Sequence, residues 1–208
     1  MSQFRFTRPD ALPPITKNLI IINVLVFVAQ NILDAQLGLT GRFALWPINS
    51  GNFAPYQIAT HMFTHGGLFH IFFNMFSLWM FGRILENVWG PKRFLLFYFL
   101  CGIGAAAVHL LVQHLAGSGG PTVGASGAVM GMFAAFGYLF PNTELYIMFI
   151  PVPVKAKWAV LGLIGIDLFM GLGSFAGDNV ARFAHLGGAL TGFILVLIWN
   201  KTNRRRFY

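Results

Sequence analysis

Acidic residues are scarce in this chain: there are six Asp and Glu against fourteen Lys and Arg, and charged residues make up only 10% of the 208 positions. A soluble domain carries roughly a quarter, so a water-soluble globular protein is excluded. Cysteine occurs once, as Cys101 within an apolar run. That excludes an intramolecular disulfide and leaves inert packing as its reading. The formal charge of +8 raises nucleic acid as a partner, but the basic residues flank apolar runs and form no single stripe, so no nucleic acid is expected. The polar N-terminus, Met1 to Pro14, lacks a small-residue cleavage site, so no removed signal peptide is expected.

What the chain has instead is apolar sequence; 56% of it is hydrophobic. Runs of about 20 apolar residues cross a hydrocarbon layer about 30 Å thick, and a backbone in lipid satisfies its own hydrogen bonds as helix. The expected fold class is therefore all-α, a polytopic membrane protein with the lipid bilayer as its surroundings. Six spans are predicted: Lys17 to Leu37, Gly66 to Glu86, Pro91 to Leu115, Val123 to Phe140, Ala156 to Ala176 and Ala181 to Asn200. Asn23, Gln30 and Asn31 weaken the first. The stretch from Gly38 to His65 is broken by Pro47, Gly51 and Pro55 and is expected to lie in the interface. The chain then divides into a terminal segment 1–16, a membrane domain 17–200 and a basic tail 201–208.

Lys and Arg in the loops set the orientation. Arg5, Arg8, Lys17, Arg83, Lys92, Arg93, Lys155, Lys157, Lys201, Arg204, Arg205 and Arg206 fall on one side, and only Arg42 and Arg182 on the other. Twelve against two requires an even number of spans and predicts cytoplasmic termini, in a bacterial cell inner membrane.

Polar groups inside spans are costly unless they face a cavity or a partner. His70, Ser126 and His185 stand in spans two, four and six, each about 5–6 Å below the same boundary at 1.5 Å per residue. Asn74 lies one turn beyond His70 on the same face. Gly127 and Gly131, and Ala184, Gly188 and Gly192, put small residues at the spacing that lets two helices approach closely. Such a contact brings Ser126 within reach of His185. A serine hydroxyl needs a base to remove its proton, which makes His185 the candidate base. The tetrahedral oxyanion of acyl transfer needs preplaced donors, and His70, Asn74 and the backbone N–H of Ser126 are the candidates. Asp167 reads as too deep to orient His185, and Asp178 falls in a loop, so a dyad is expected.

Each of these residues has a plainer reading as packing or as a self-satisfied polar group; the coincidence of depth and spacing carries the argument. His61 and His65, four apart, offer a metal pair, but no carboxylate or cysteine accompanies them, and neither metal nor cofactor is expected. His109 and His114 read as structural or interfacial, and Glu86, with Arg83 nearby, as an anchor for the end of span two.

At these positions the sequence resembles the rhomboid intramembrane serine proteases. The matching pieces are HGGLFHIFFN (His65 to Asn74), ENVWG (Glu86 to Gly90), GASG (Gly124 to Gly127) and HLGGALTG (His185 to Gly192), in order, over roughly Tyr56 to Trp199. The resemblance implies a six-transmembrane-helix rhomboid-like bundle, with Ser126 as nucleophile, His185 as general base, and His70, Asn74 and Gly124 on the oxyanion side. It also implies single-span transmembrane proteins as substrates, cut near the outer face, with span five and the loop after it as gate and cap. Two positions depart from the family pattern: Tyr56-Gln57 stands where many members have Trp-Arg, and Met130 where an aromatic residue commonly stacks on the base. The alternatives are a proteolytically dead relative that binds membrane clients, and a small transporter or haem- or metal-binding membrane protein.

Overall fold

The computed structural model describes residues 11–117, 119–146, 152–172 and 179–202. The readings placed on Arg5, Arg8, Asp178, the loop after span five and the tail from Arg204 lie outside the described residues. Six apolar helices carry the fold: α1 (Pro14–Leu37), α2 (Leu68–Trp89), α3 (Pro91–Ala116), α4 (Ser126–Leu139), α5 (Ala156–Leu172) and α6 (Asn179–Thr202). A two-residue hairpin, β1 (Glu144–Leu145) and β2 (Val154–Lys155), joins α4 to α5. Among the described residues, α1, α2, α3 and Arg182–Asn200 of α6 are long and apolar enough to cross a membrane. The fourth predicted span is shorter than expected. α4 has 14 residues, about 21 Å at 1.5 Å per residue, and its first residue is Ser126.

The start of α1 shows how the bundle closes. Pro14 has no N–H, and the next two N–H groups have no carbonyl within their own helix. Ile15 N and Thr16 N donate to the Glu86 carboxylate at 2.9 and 2.7 Å, and the Thr16 hydroxyl adds a third bond at 2.8 Å. Glu86, only 2% exposed, thus caps α1 from the far end of α2. Arg83 is not its partner: the guanidinium lies over the Trp79 ring, 4.6 Å from the centroid. Anchoring therefore joins two helices, where the sequence suggested one helix end. Two amides of α1 donate to carbonyls one turn back, Asn23 to Leu19 and Asn31 to Phe27. Gln30 instead ties α1 to the following connection, donating to Thr40 Oγ1 and accepting from His65 N.

The core lies between α3, α4 and α6, with Phe94, Phe97, Tyr98, Cys101, Ala128, Met132 and Val196 fully or almost fully buried. At the centre, α4 and α6 touch through backbone. A methyl group built on Gly188 would run into the Gly127 carbonyl, and one on Gly192 into the Gly131 backbone. Close approach of this kind replaces the hydrophobic driving force that helices lack in lipid.

Gly192→Ala is therefore expected to destabilise the protein by about 1–3 kcal/mol through overpacking. Gly162→Ala, on an open stretch of α5, should be neutral or stabilising by up to about 1 kcal/mol. Thermal unfolding midpoints of the two variants in one detergent check this; equal midpoints would refute the tight contact.

Candidate active site

The connection between α1 and α2 is packed rather than loose. Gln57, 1% exposed, organises it: its Oε1 accepts from Trp46 N and Ala54 N, and its Nε2 donates to the carbonyls of Arg42 and Asn52. The Tyr56-Gln57 departure thus has a structural answer, since a neutral amide ties four backbone points together. Leu45 and Thr122 then exchange two backbone hydrogen bonds, at 2.8 and 2.9 Å, and Gly124 N donates to the His61 carbonyl at 2.8 Å. These bonds hold the approach to α4 against the connection.

Gly124 is the residue the geometry needs. Its φ of 122° is one that side chains rarely adopt, and a Cβ there would strike the His70 ring. The chain then turns through Ala125 into Ser126, where the first N–H groups of α4 have no intrahelical acceptor. The positive end of the helix dipole points the same way.

Ser126 Oγ lies 2.9 Å from His185 Nε2. On the other edge of the imidazole, His185 Nδ1 lies 3.1 Å from Asp167 Oδ2. The carboxylate can only accept, so Nδ1 carries the proton and Nε2 accepts from the serine hydroxyl. Asp167 in turn sits 3.5 Å from an Arg182 guanidinium nitrogen. This corrects the expectation that no acid reaches His185. The count along each span places Asp167 and His185 at different depths, but the two side chains meet across the α5–α6 contact. The signal was available, since an acid inside an apolar span calls for a partner.

His70 Nδ1 accepts from Gly66 N at 3.4 Å. That leaves Nε2 as the protonated nitrogen, on the side of the ring that faces Gly124. Asn74 is not brought into this group. Its amide donates to the His70 carbonyl at 2.8 Å, the i−4 bond by which short polar side chains satisfy themselves in helices. A cavity of about 240 Å³ is lined by Ser126, His185, His70 and Gly124, and also by His61 and His109. These last two were read as a possible metal residue and a structural one. The stretch from His61 to His65 is not one helix, so its spacing does not align the two rings. His114 meets Asn49 at 3.3 Å on an exposed surface.

A Rhomboid domain model matches residues 52–201. The chain is 34% identical over 188 residues to the human presenilin-associated rhomboid-like protein, mitochondrial, covering 87% of this chain and 48% of that protein. It is 33% identical over 139 residues to rhomboid protein 1, mitochondrial, of Saccharomyces cerevisiae (64% and 38%). It is 35% identical over 144 residues to RHOMBOID-like protein 6, mitochondrial, of Arabidopsis thaliana (69% and 43%). The chain spans about half the length, or less, of these curated relatives. These relatives are named as mitochondrial proteins of eukaryotes, which overturns the expectation of a bacterial cell inner membrane. The label of cytoplasm for the basic side falls with it. Charge bias orders the two ends of a bundle but does not identify the membrane.

Burial holds His61 and His65 down to about pKa 4. Between pH 4 and 6.5 the unfolded chain binds protons at these positions and the folded chain does not, so stability present above about 6.5 is lost as pH falls toward 4. The unfolding midpoint should drop over that window, and a His61→Gln/His65→Gln double variant should show a shallower drop. An unchanged slope in the double variant would refute the assignment.

Proposed function

We propose, on the premise that this chain belongs to the rhomboid family, that it is an intramembrane serine endopeptidase working through Ser126, His185 and Asp167. The observation that carries the reading is the unbroken hydrogen-bond chain from the serine hydroxyl through the imidazole to the carboxylate. His185 Nε2 takes the hydroxyl proton as Ser126 Oγ attacks a peptide carbonyl carbon. The carbonyl π electrons move onto oxygen, and that charge is met by the N–H groups opening α4 and by the His70 Nε2–H. When the tetrahedral adduct collapses, the C–N bond breaks and the imidazolium returns its proton to the leaving amine. Water then repeats the attack on the acyl-serine, with His185 again as base and Ser126 as leaving group. Asp167 keeps the imidazole in the correct tautomer and balances its charge as it becomes cationic.

Single-span transmembrane proteins are the substrate class we assign. The serine is the first residue of α4, and α2 carries exposed Leu68, Phe69, Phe72 and Phe73, a surface suited to lipid and apolar helices. A chain entering along it must expose backbone at Ser126. Asn74, turned onto the His70 carbonyl, acts here through the backbone that carries His70 and not as a direct donor.

Ser126→Ala should abolish both fluorophosphonate labelling and cleavage of a reporter membrane helix, with an unchanged unfolding midpoint; cleavage retained in that variant would exclude the serine mechanism. Asp167→Asn, which presents an N–H or a poor acceptor to Nδ1, should lower the cleavage rate by about 10²–10⁴-fold while leaving Ser126 in place. A wild-type rate in Asp167→Asn would reduce the site to a dyad.

A further inference from the structure

The helix ends far from Ser126 hold a second feature that proteolysis does not use. Tyr138 lies twelve residues along α4 from Ser126, about 18 Å away at 1.5 Å per residue, at the end where Lys and Arg concentrate. There a cavity of about 560 Å³ opens between the ends of α2, α4 and α6 and the start of α3, lined by Trp89, Arg93, Tyr138, Val196, Trp199 and Asn200. The Arg93 guanidinium stacks over Trp199, 4.3 Å from the ring centroid, and Trp89 meets Trp199 edge-on at 5.5 Å. A guanidinium held over a ring face keeps its charge beside the aromatic wall of the cavity. Asn200 Nδ2 donates to the Tyr138 hydroxyl at 3.1 Å. The hydroxyl therefore accepts and retains its own proton as a donor.

Tyr138 also lines a second opening, an apolar groove of about 420 Å³ between α4, α5 and α6. Ala134, Gly137 and Ala189 line its floor with Val160 packed against Gly137, and Leu190 and Phe193 along it are exposed. Lys157 stands among its lining residues, near the start of α5. A largely apolar cavity that carries a cation over an aromatic ring and a hydroxyl donor thus shares a wall residue with an apolar groove on the outer side of the bundle. Each lies in the volume range of small-molecule sites.

We infer that this pair is a binding site for a phospholipid with an anionic headgroup. The phosphate sits against Arg93 and the Tyr138 hydroxyl, with Lys157 as a second cation, and one acyl chain lies in the groove. Arg matches phosphate oxygens through two parallel N–H donors, and a basic pocket between helices at the positive side of a membrane is suited to anionic headgroups. A transmembrane partner helix fits less well, because it offers no anion to the cavity at the groove's end. The inference stands independently of the protease reading.

The test uses the full chain, purified in detergent with phosphatidylglycerol or phosphatidylcholine and weighed by native mass spectrometry. Wild type is expected to retain one phosphatidylglycerol at least tenfold better than phosphatidylcholine. Arg93→Gln should abolish that preference, Tyr138→Phe should weaken it several-fold without altering the fold, and Arg42→Gln at the opposite end should leave it intact. If Arg93→Gln fails to fold, Tyr138→Phe and Lys157→Gln decide. Equal retention of the two lipids by wild type, or full retention by Tyr138→Phe and Lys157→Gln, overturns the proposal. So does displacement of the lipid by inorganic phosphate, which would make this a site for the free ion.

Discussion

Backbone contact between α4 and α6 is the constraint on which everything else depends. Gly127 lies against Gly188 and Gly131 against Gly192, with no side chain between them. Ser126 and His185 each sit just before one of these contacts along the chain. The separation of the two helices is therefore set by carbonyl and Cα atoms, which do not adapt as rotamers do. A hydroxyl and an imidazole from different helices meet at 2.9 Å because nothing bulkier holds the helices apart.

Around that contact the chain adds constraints of another kind, in which polar groups of one segment complete the backbone of another. Glu86 supplies acceptors to the first N–H groups of α1, which have no carbonyl one turn before them. Gln57 gathers the connection between α1 and α2, and that connection in turn pairs with Thr122 and takes the Gly124 N–H on the His61 carbonyl. Buried hydrogen bonds in apolar surroundings are costly to leave unmade, so each of these bonds specifies position. The start of α4 is consequently gripped from one side by α6 and from the other by the connection.

Much of this was legible in the sequence, and the exceptions have physical reasons. Apolar runs gave the six helices, and glycine spacing gave the α4–α6 contact, because both patterns follow from the period of a helix. Depth counting placed Ser126, His70 and His185 at one level. The same counting failed for Asp167, since it fixes depth along one helix and not how α5 and α6 sit against each other, and the carboxylate meets His185 across that contact. Glu86 was read against its nearest cation, Arg83, whereas its partners are N–H groups about seventy residues away, which no local pattern displays. Asn74 shares a face with His70, as its spacing requires, but a periodicity does not say whether an amide turns outward or back onto its own helix. The identity of the membrane is not encoded in charge bias, and it took the relatives to correct it.

The most direct measurement of the central claim is the rate at which a fluorophosphonate labels Ser126 in lipid bilayers, compared between Gly188→Ala and Gly165→Ala. The first puts a methyl group against the Gly127 carbonyl; the second lies on an open face of α5. A displacement of about 1 Å at a reacting pair costs on the order of 10²-fold in rate. The account predicts that folded Gly188→Ala is labelled at least about tenfold more slowly than wild type, while Gly165→Ala is unaffected. Labelling of Gly188→Ala at the wild-type rate would contradict it.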